Sequence, residues 1–435
     1  MIGPHLPAGS PSRTMPLRVL FIPFGSEGDV NPLVWLADGM AARGNEPTFV
    51  ITPHYGPLIE ERGYPWIPVG TKEDFIRVAR DPRVWSRLHG TRMVIAGMVT
   101  SLPAYQQAME KAGDFDLVVL STLALGAACV AEAANVPRIT LHMQPALFRS
   151  TYECPVFMEE LAWLTRAPRW TKRLFFTLVD VLFWNTARRQ LNTFRRRIGL
   201  PPFRNFYDDA LHGAEGVAAL FPAWFAAPQR DWPPRVRQFG FPIARSSRPL
   251  SGALESFLTS GEPPIAWTHG SANFDIEQFQ AWALEVSRQL NVRCLLISLD
   301  APPSVSNNAL HVPYARFEDL FPRCKAVVHH GGIGTTAKCI AAGVPQLIIP
   351  RSHDQPDNAH RVAKLSLGKA LPYHQTNTAG LGTTLRQLLG SEIIPSRCNE
   401  FQQRVLRSDT LSDVVDWAEQ IARQRGRIIK ASAAG

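Results

Sequence analysis

Several things are scarce in this chain. Its six cysteines (Cys129, Cys154, Cys294, Cys324, Cys339 and Cys398) form no CxxC pair and no metal-ligand spacing. That argues against a zinc knuckle and a disulfide framework, and fits free thiols in a reducing compartment. No apolar run reaches the ~18 residues that a membrane helix needs. Residues 1–15 carry Pro, Gly and Ser but no apolar h-region, so they read as a disordered leader rather than a signal peptide. The turn after the first apolar run, GSEGDV, lacks the third glycine of a GxGxxG fingerprint, which discounts a dinucleotide-dependent oxidoreductase. No DxD-type acidic pair stands at a strand end to hold a cation. No nucleic-acid motif appears.

What is present is ordinary globular composition, with 45% hydrophobic and 19% charged residues over 435 positions. That length exceeds one core and predicts two domains. Residues 17–24 form a continuous apolar run, as in a parallel strand buried on both faces. Asn31 followed by Pro32 reads as a helix N-cap, and the helix should stop at Gly44. Further strands are expected at 49–52, 117–121, 139–142 and 216–220, with an Ala-rich helix at 124–134. A Pro- and Arg-rich connection at 226–250 follows. The alternation then restarts with strands at 264–268, 294–298, 325–329 and 346–350. This is an α/β chain with two Rossmann-like, doubly wound halves facing a central cleft. The expected domains are 16–238, with a helical insertion or lid at 151–212, then 239–400, then a C-terminal stretch, 401–435, crossing back.

Chemistry concentrates at the ends of strands. AVVHHGGIGTT, residues 326–336, reads as strand, glycine turn and helix start. Bare amides at a helix N-terminus make an anion site, and a diphosphate is the natural guest. His329, Gly331, Gly332, Gly334 and Thr335 are its candidates. Ser271, in the turn after residues 264–268, could hold the same group from the other side. Asp354 and Gln355 follow residues 346–350 and suit the hydroxyls of a sugar ring, unless Asp354 or Asp357 caps the next helix. In the first half, Asp29 stands in the turn after the first strand. With Asn31 as the cap, Asp29 is free to face the cleft as a general base.

HxGGxGT at 329–335, the downstream Asp354–Gln355 pair and GSxGDVxP at 25–32 together resemble the family 1 glycosyltransferases of the GT-B fold. DPRVW (81–85), LFPAWFA (220–226) and AAGVPQ (341–346) are similar to the rhamnosyltransferases of bacterial rhamnolipid synthesis. The resemblance implies an inverting, metal-independent transferase with no cofactor besides its nucleotide-sugar co-substrate. Asp29 would be the base. His329, the glycine amides, Thr335 and Ser271 would bind the diphosphate. Tyr314 would stack on the base, although YARF replaces the usual aromatic-Val-Pro-Gln there. Asp354 and Gln355 would hold the sugar. His330 occupies a position that the family fills variously and should tolerate replacement.

The acceptor side is expected around His142, Gln144 and Phe148, which with the aromatic helices beyond suit an apolar or lipid-like hydroxylated acceptor. The likeness implies dTDP-rhamnose as donor, with UDP-glucose and a sterol or polyketide acceptor as the alternative. A non-catalytic nucleotide-sugar-binding protein is the alternative class. Basic clusters at Arg166–Arg173 and Arg188–Arg197 flank LFFTLVDVLFW (174–184), within a net charge of +9. They fit either a buried helix with solvated ends or a lid touching an anionic membrane. A cytoplasmic protein, peripheral on the inner face of the membrane at most, is the expected location.

Overall fold

The computed structural model describes residues 15–79, 81–85, 101–244, 250–270, 276–298 and 308–433, together with 90, 93 and 97. Two parallel sheets organise it. The first runs in the order β3-β2-β1-β4-β5-β6-β7. Its strands are β1 (Arg18–Ile22), β2 (Glu46–Ile51), β3 (Trp66–Pro68), β4 (Leu117–Ser121), β5 (Arg138–His142), β6 (Gly216–Ala219) and β7 (Val236–Gln238). The second runs in the order β10-β9-β8-β11-β12-β13. It comprises β8 (Ile265–Thr268), β9 (Cys294–Ile297), β10 (Ala309–Val312), β11 (Ala326–His329), β12 (Gln346–Ile348) and β13 (Gly368–Ala370).

Every strand pairing is parallel. The central strands β4, β5, β8, β9 and β11 are buried along their whole length, as the apolar runs predict. In both sheets the order reverses beside the first strand of that half, with β1 between β2 and β4 and β8 between β9 and β11. Ligands bind outside the carboxyl ends of strands at such switch points.

The helices used below are α1 (Glu27–Ala42), α2 (Leu125–Ala133), α3 (Arg169–Val179), α4 (Asn185–Arg197), α5 (Ile333–Ala342), α6 (Gln355–Lys364), α7 (Ile393–Leu406) and α8 (Thr410–Ala433). A π-helical turn, Asp180–Trp184, joins α3 to α4. The C-terminal α8 lies on the first half of the molecule. Asn45 Nδ2 donates to Glu419 at 2.7 Å, and Arg43 pairs with Asp416. Gly39 and Gly216 make room for it, since a Cβ at either would strike Leu411 or Trp417 at 2.6 and 2.4 Å.

One local expectation changes. The first helix starts at Glu27, four residues before the expected cap, and Ser26 is its N-cap. Asn31 lies inside the helix and faces solvent. The GSxGDVxP stretch is therefore a cap and the opening of the helix, with Pro32 inside it at the sixth position, where its missing N–H leaves the Gly28 carbonyl without an i+4 partner.

Candidate active site

The turn after β1 is built around Asp29. Its carboxylate occupies the third helical position and folds back onto the cap, where the Ser26 N–H donates to Oδ2 at 2.9 Å. The Ser26 hydroxyl adds a longer bond of 3.3 Å to the same oxygen. So Asp29 is not free of capping work, as the Asn31 assignment required. It serves the helix with one oxygen, while Oδ1 makes no hydrogen bond among the described residues. Gly25 has φ +131°, and a Cβ there would sit 2.2 Å from Asp29 Oδ2. A glycine is required at that place for the carboxylate's sake. Burial outweighs the Ser26 bonds and raises the Asp29 carboxyl to about 6.

The turn after β11 treats its two histidines differently. His329 is fully buried. The Gly331 N–H donates to its Nδ1 at 3.1 Å, so the ring proton sits on Nε2, which donates to Gln346 Oε1 at 2.9 Å. Both nitrogens are engaged inside the second sheet, and no donor is left for a phosphate. Burial holds this ring neutral, lowering it to about 4. In this arrangement the ring of His329, expected to meet the diphosphate, offers it no free donor.

His330 takes the open position. Its ring lies between the turns after β8 and β11. A Cβ at Gly270 would stand 2.4 Å from its Cε1, and one at Gly332 would stand 2.6 Å from its Nε2. The residue is half-buried, and its Nδ1 is buried without a hydrogen-bond partner among the described residues. Burial pushes the ring down to about 3, helped by His329, His269 and the Arg351 guanidinium nearby. A crevice lined by His269, Phe279, Trp282, His330, Ile349, Arg351 and Tyr373 opens beside it.

The three glycines also divide. Gly331 has φ +93° and packs inward, where a Cβ would strike Ile348 at 2.6 Å. Gly332 is the N-cap of α5, and Gly334, in its first turn, is exposed with open space around it. The unpaired amides that begin α5 thus face outward beside His330 and the half-buried Thr335. Ser271 lies outside the described residues.

The Asp354–Gln355 pair separates in the same way. Gln355 Oε1 accepts from the Arg351 and Ser352 N–H groups at 2.8 and 3.1 Å, which ties down its own loop. Gln355 is buried, so the expected contact of its oxygen with sugar hydroxyls is not available here. Asp354, the N-cap residue of α6, accepts from Asn358 Nδ2 at 2.7 Å. The same amide nitrogen donates to Gly331 O at 2.9 Å. Asn358 therefore fixes the carboxylate relative to the glycine turn. Burial lifts Asp354 to about 6, and the nearby charges of Asp29 and Asp357 add to the shift. Asp29 of the first half is thus within electrostatic reach of Asp354 of the second.

Asp357 has a different task. Its Oδ1 accepts from the Val156 N–H at 3.0 Å and its Oδ2 from Arg361 Nε at 2.8 Å. Arg361 also donates to Phe225 O at 3.1 Å and approaches Glu153 at 3.3 Å. These contacts join the second half to the first. His353, at φ +57°, brings Nε2 to 3.2 Å from Val84 O. Tyr314 is 69% exposed, and its hydroxyl is raised by burial and by Glu318, Glu27 and Glu61, two of them from the first half.

The acceptor candidates fare unevenly. His142 is fully buried, with Nδ1 3.0 Å from Thr122 Oγ1 and Nε2 3.1 Å from Leu211 O. Phe148 is 1% exposed and packs on His142, Phe221 and Trp232. Both belong to a buried aromatic cluster with His212, Phe221 and Trp232. Only Gln144 of the three is partly exposed.

Sequence reading missed His330, Arg351 and Asn358. Arg351 had a signal, as the first residue beyond the apolar run at 346–350. Asn358 had the i, i+4 spacing from Asp354. Nothing in the sequence separates His330 from His329 except strand register, which decides which ring turns inward. Among the described residues no group of three or more His, Cys, Asp or Glu is disposed to hold a metal ion.

Comparison with known proteins agrees with this layout. A family model described as "Erythromycin biosynthesis protein CIII-like, C-terminal domain" matches residues 298–420. The chain is 28% identical over 420 residues to O-mycaminosyltylonolide 6-deoxyallosyltransferase of Streptomyces fradiae, covering 93% of this chain and 98% of that one. Among solved structures, spinosyn forosaminyltransferase SpnP superposes with a TM-score of 0.71 at 19% identity, over 94% of this chain and 99% of that one. Glycosyltransferase GtfE of Amycolatopsis orientalis is 30% identical over 382 residues, covering 85% of this chain and 90% of the relative. With that identity over that span, on two facing parallel sheets, the chain belongs to the family 1 glycosyltransferases of the GT-B fold.

Proposed function

We propose that the enzyme is an inverting glycosyltransferase that moves a 6-deoxy sugar, L-rhamnose from dTDP-rhamnose, to a hydroxyl of an apolar, lipid-like acceptor, without a metal ion. The observation that carries the reading is that each half sets a buried carboxyl in the turn at its switch point, Asp29 folded back on the Ser26 cap and Asp354 held by Asn358 to the glycine turn, with Asp29 within electrostatic reach of Asp354. Near neutral pH both carboxyls are ionised. Asp29 takes the acceptor hydroxyl's proton as that oxygen attacks the anomeric carbon. The bond from that carbon to the diphosphate oxygen breaks on the opposite face, and the nucleoside diphosphate leaves with the electron pair. Asp354 accepts from the sugar hydroxyls. The leaving charge meets the amides of Gly332 and Gly334, the Thr335 hydroxyl and His330, in the role first expected of His329. His330 is neutral in the free enzyme and becomes a better donor as the anion arrives. Tyr314 stacks on the base. Gln144 is the acceptor-side residue that keeps an open face.

The 6-deoxyallosyl relative supports a 6-deoxy donor. A second reading, UDP-glucose and a polycyclic or peptide natural product, is supported by the 29% identity to vancomycin aglycone glucosyltransferase of Amycolatopsis orientalis. Calorimetry with dTDP-rhamnose against UDP-glucose, followed by turnover on a hydroxy-fatty-acid acceptor, separates the two. Tight binding of dTDP-rhamnose alone is expected. Failure of every nucleotide sugar to bind would sink both readings.

A further inference from the structure

One face of the helical insertion carries apolar side chains into solvent. Trp170, Leu174 and Leu178 recur every four residues along α3, and Val181 and Leu182 continue them through the π-helical turn. They are 68%, 62%, 52%, 59% and 55% exposed. Trp163, 57% exposed, stands just before this helix. Spacing of three and four puts them on one stripe. The opposite side is packed. Lys172 is buried and donates to Tyr152 O and Thr165 O at 3.4 and 3.2 Å, and Phe175 and Phe176 meet Phe157. The stripe is thus an outward face of a firmly seated helix. A contiguous apolar patch of this kind marks an interaction surface.

The charges around it select the occupant. From Leu161 to Tyr207 the one acidic residue is Asp180, against ten Lys and Arg. Asp180 is already paired with Arg149 at 2.6 Å. Exposed Arg166 precedes the stripe, exposed Arg173 lies within α3 beside Leu174, and exposed Arg189, Arg196 and Arg197 lie beyond the far end. Two copies meeting face to face would bring like charges together. A nucleic acid would leave the apolar stripe unused. An anionic bilayer satisfies both features, with apolar side chains among the acyl chains and guanidiniums at the headgroups. Among the described residues no helix is long and apolar enough to cross a membrane, so this helix would lie in the plane of the interface.

We propose that the α3 stripe and its flanking arginines dock the enzyme on an anionic lipid surface. The helix is tied to the loop after β5 by the Arg149–Asp180 pair, and that loop reaches α6 through Glu153 and Val156. The docked helix is thus linked, through its inner side, to the contacts that join the two halves. This inference does not depend on which donor or acceptor is used.

Sedimentation of the full chain with vesicles tests it by binding alone, so its failure is distinguishable from failure of the transferase reading. The chain should sediment with phosphatidylcholine–phosphatidylglycerol vesicles at low salt, and weakly with phosphatidylcholine alone. The triple variant Trp170→Ser, Leu174→Ser, Leu178→Ser should bind about a hundredfold more weakly with unchanged circular dichroism. The pair Arg166→Gln, Arg173→Gln should cost about tenfold and flatten the salt dependence. The proposal is overturned if the wild type ignores anionic vesicles, if the triple variant binds as the wild type does, or if sedimentation velocity shows a stripe-dependent dimer without lipid.

Discussion

The two glycine turns that face each other use glycine for opposite ends. After β1, Gly25 clears space for a carboxylate on its own helix, 2.2 Å from where a Cβ would be. After β11, Gly332 and the distant Gly270 clear space for the ring of His330, at 2.6 and 2.4 Å. One turn shelters a base that must shed a proton. The other surrounds a neutral ring with bare amides and meets a departing anion. In both, the absent side chain matters for what a neighbour can then do, beyond the freedom it gives the backbone.

The sharpest way to break this comparison is to remove the carboxylate and leave the turn. Asp29→Asn keeps the shape and an acceptor oxygen for the Ser26 N–H. Transfer should fall by about 10³-fold, within the usual range for a lost general base, while calorimetric donor affinity stays within about twofold. Normal turnover would remove Asp29 from the mechanism. Next in size is the other turn. His330→Ala should lower kcat by about 10²-fold and weaken donor binding, with Tm unchanged. A variant that turns over normally would return the diphosphate to other groups.

His329→Ala should do the reverse. It strands buried Gln346 without its partner and should cost about 1–3 kcal/mol of stability by denaturant titration, with a smaller effect on donor affinity. If His329→Ala lost donor binding at full stability, the division between the histidines would be wrong.

The subtlest effect is one of pH. The folded Asp29 carboxyl sits at about 6, above its ordinary value of 3.8. The native state therefore holds this proton longer than the unfolded chain does. That contribution is unfavourable to folding as pH rises from about 4 to about 6, and constant above. Stability of the wild type relative to Asp29→Asn should fall over that window and then level. The transfer rate should climb through about pH 6 to a plateau, because only the ionised carboxylate is a base. A flat difference in stability would show that burial does not govern the group.

Much of this was legible in the sequence because strands of parallel sheets are short apolar runs and glycine turns follow them. Residues 117–121 coincide with β4, and residues 326–329 of the AVVHHGGIGTT stretch with β11. Less legible was anything decided by one step of register. His329 and His330 alternate sides because strand side chains do, and sequence alone cannot say which side is the cleft. Asp29 was assigned its place through the wrong cap, since Ser26 and Asn31 are both good caps and only packing chooses. The burial of His142 and Phe148 is hard to read for another reason. A polar residue at a strand end looks like a ligand until its ring is seen to satisfy Thr122 and Leu211 O.

Helix α6 leaves one consequence. It begins at Asp354, within electrostatic reach of Asp29, and one to two turns on, Asp357 and Arg361 grip Val156 and Phe225 of the other half. A ten-residue helix is a stiff rod. The rod makes the fit of the cargo and the shutting of the door a single event. A donor that settles badly at Asp354 would also loosen the hold on the far wall, and the cleft would admit water at the moment when water does most harm.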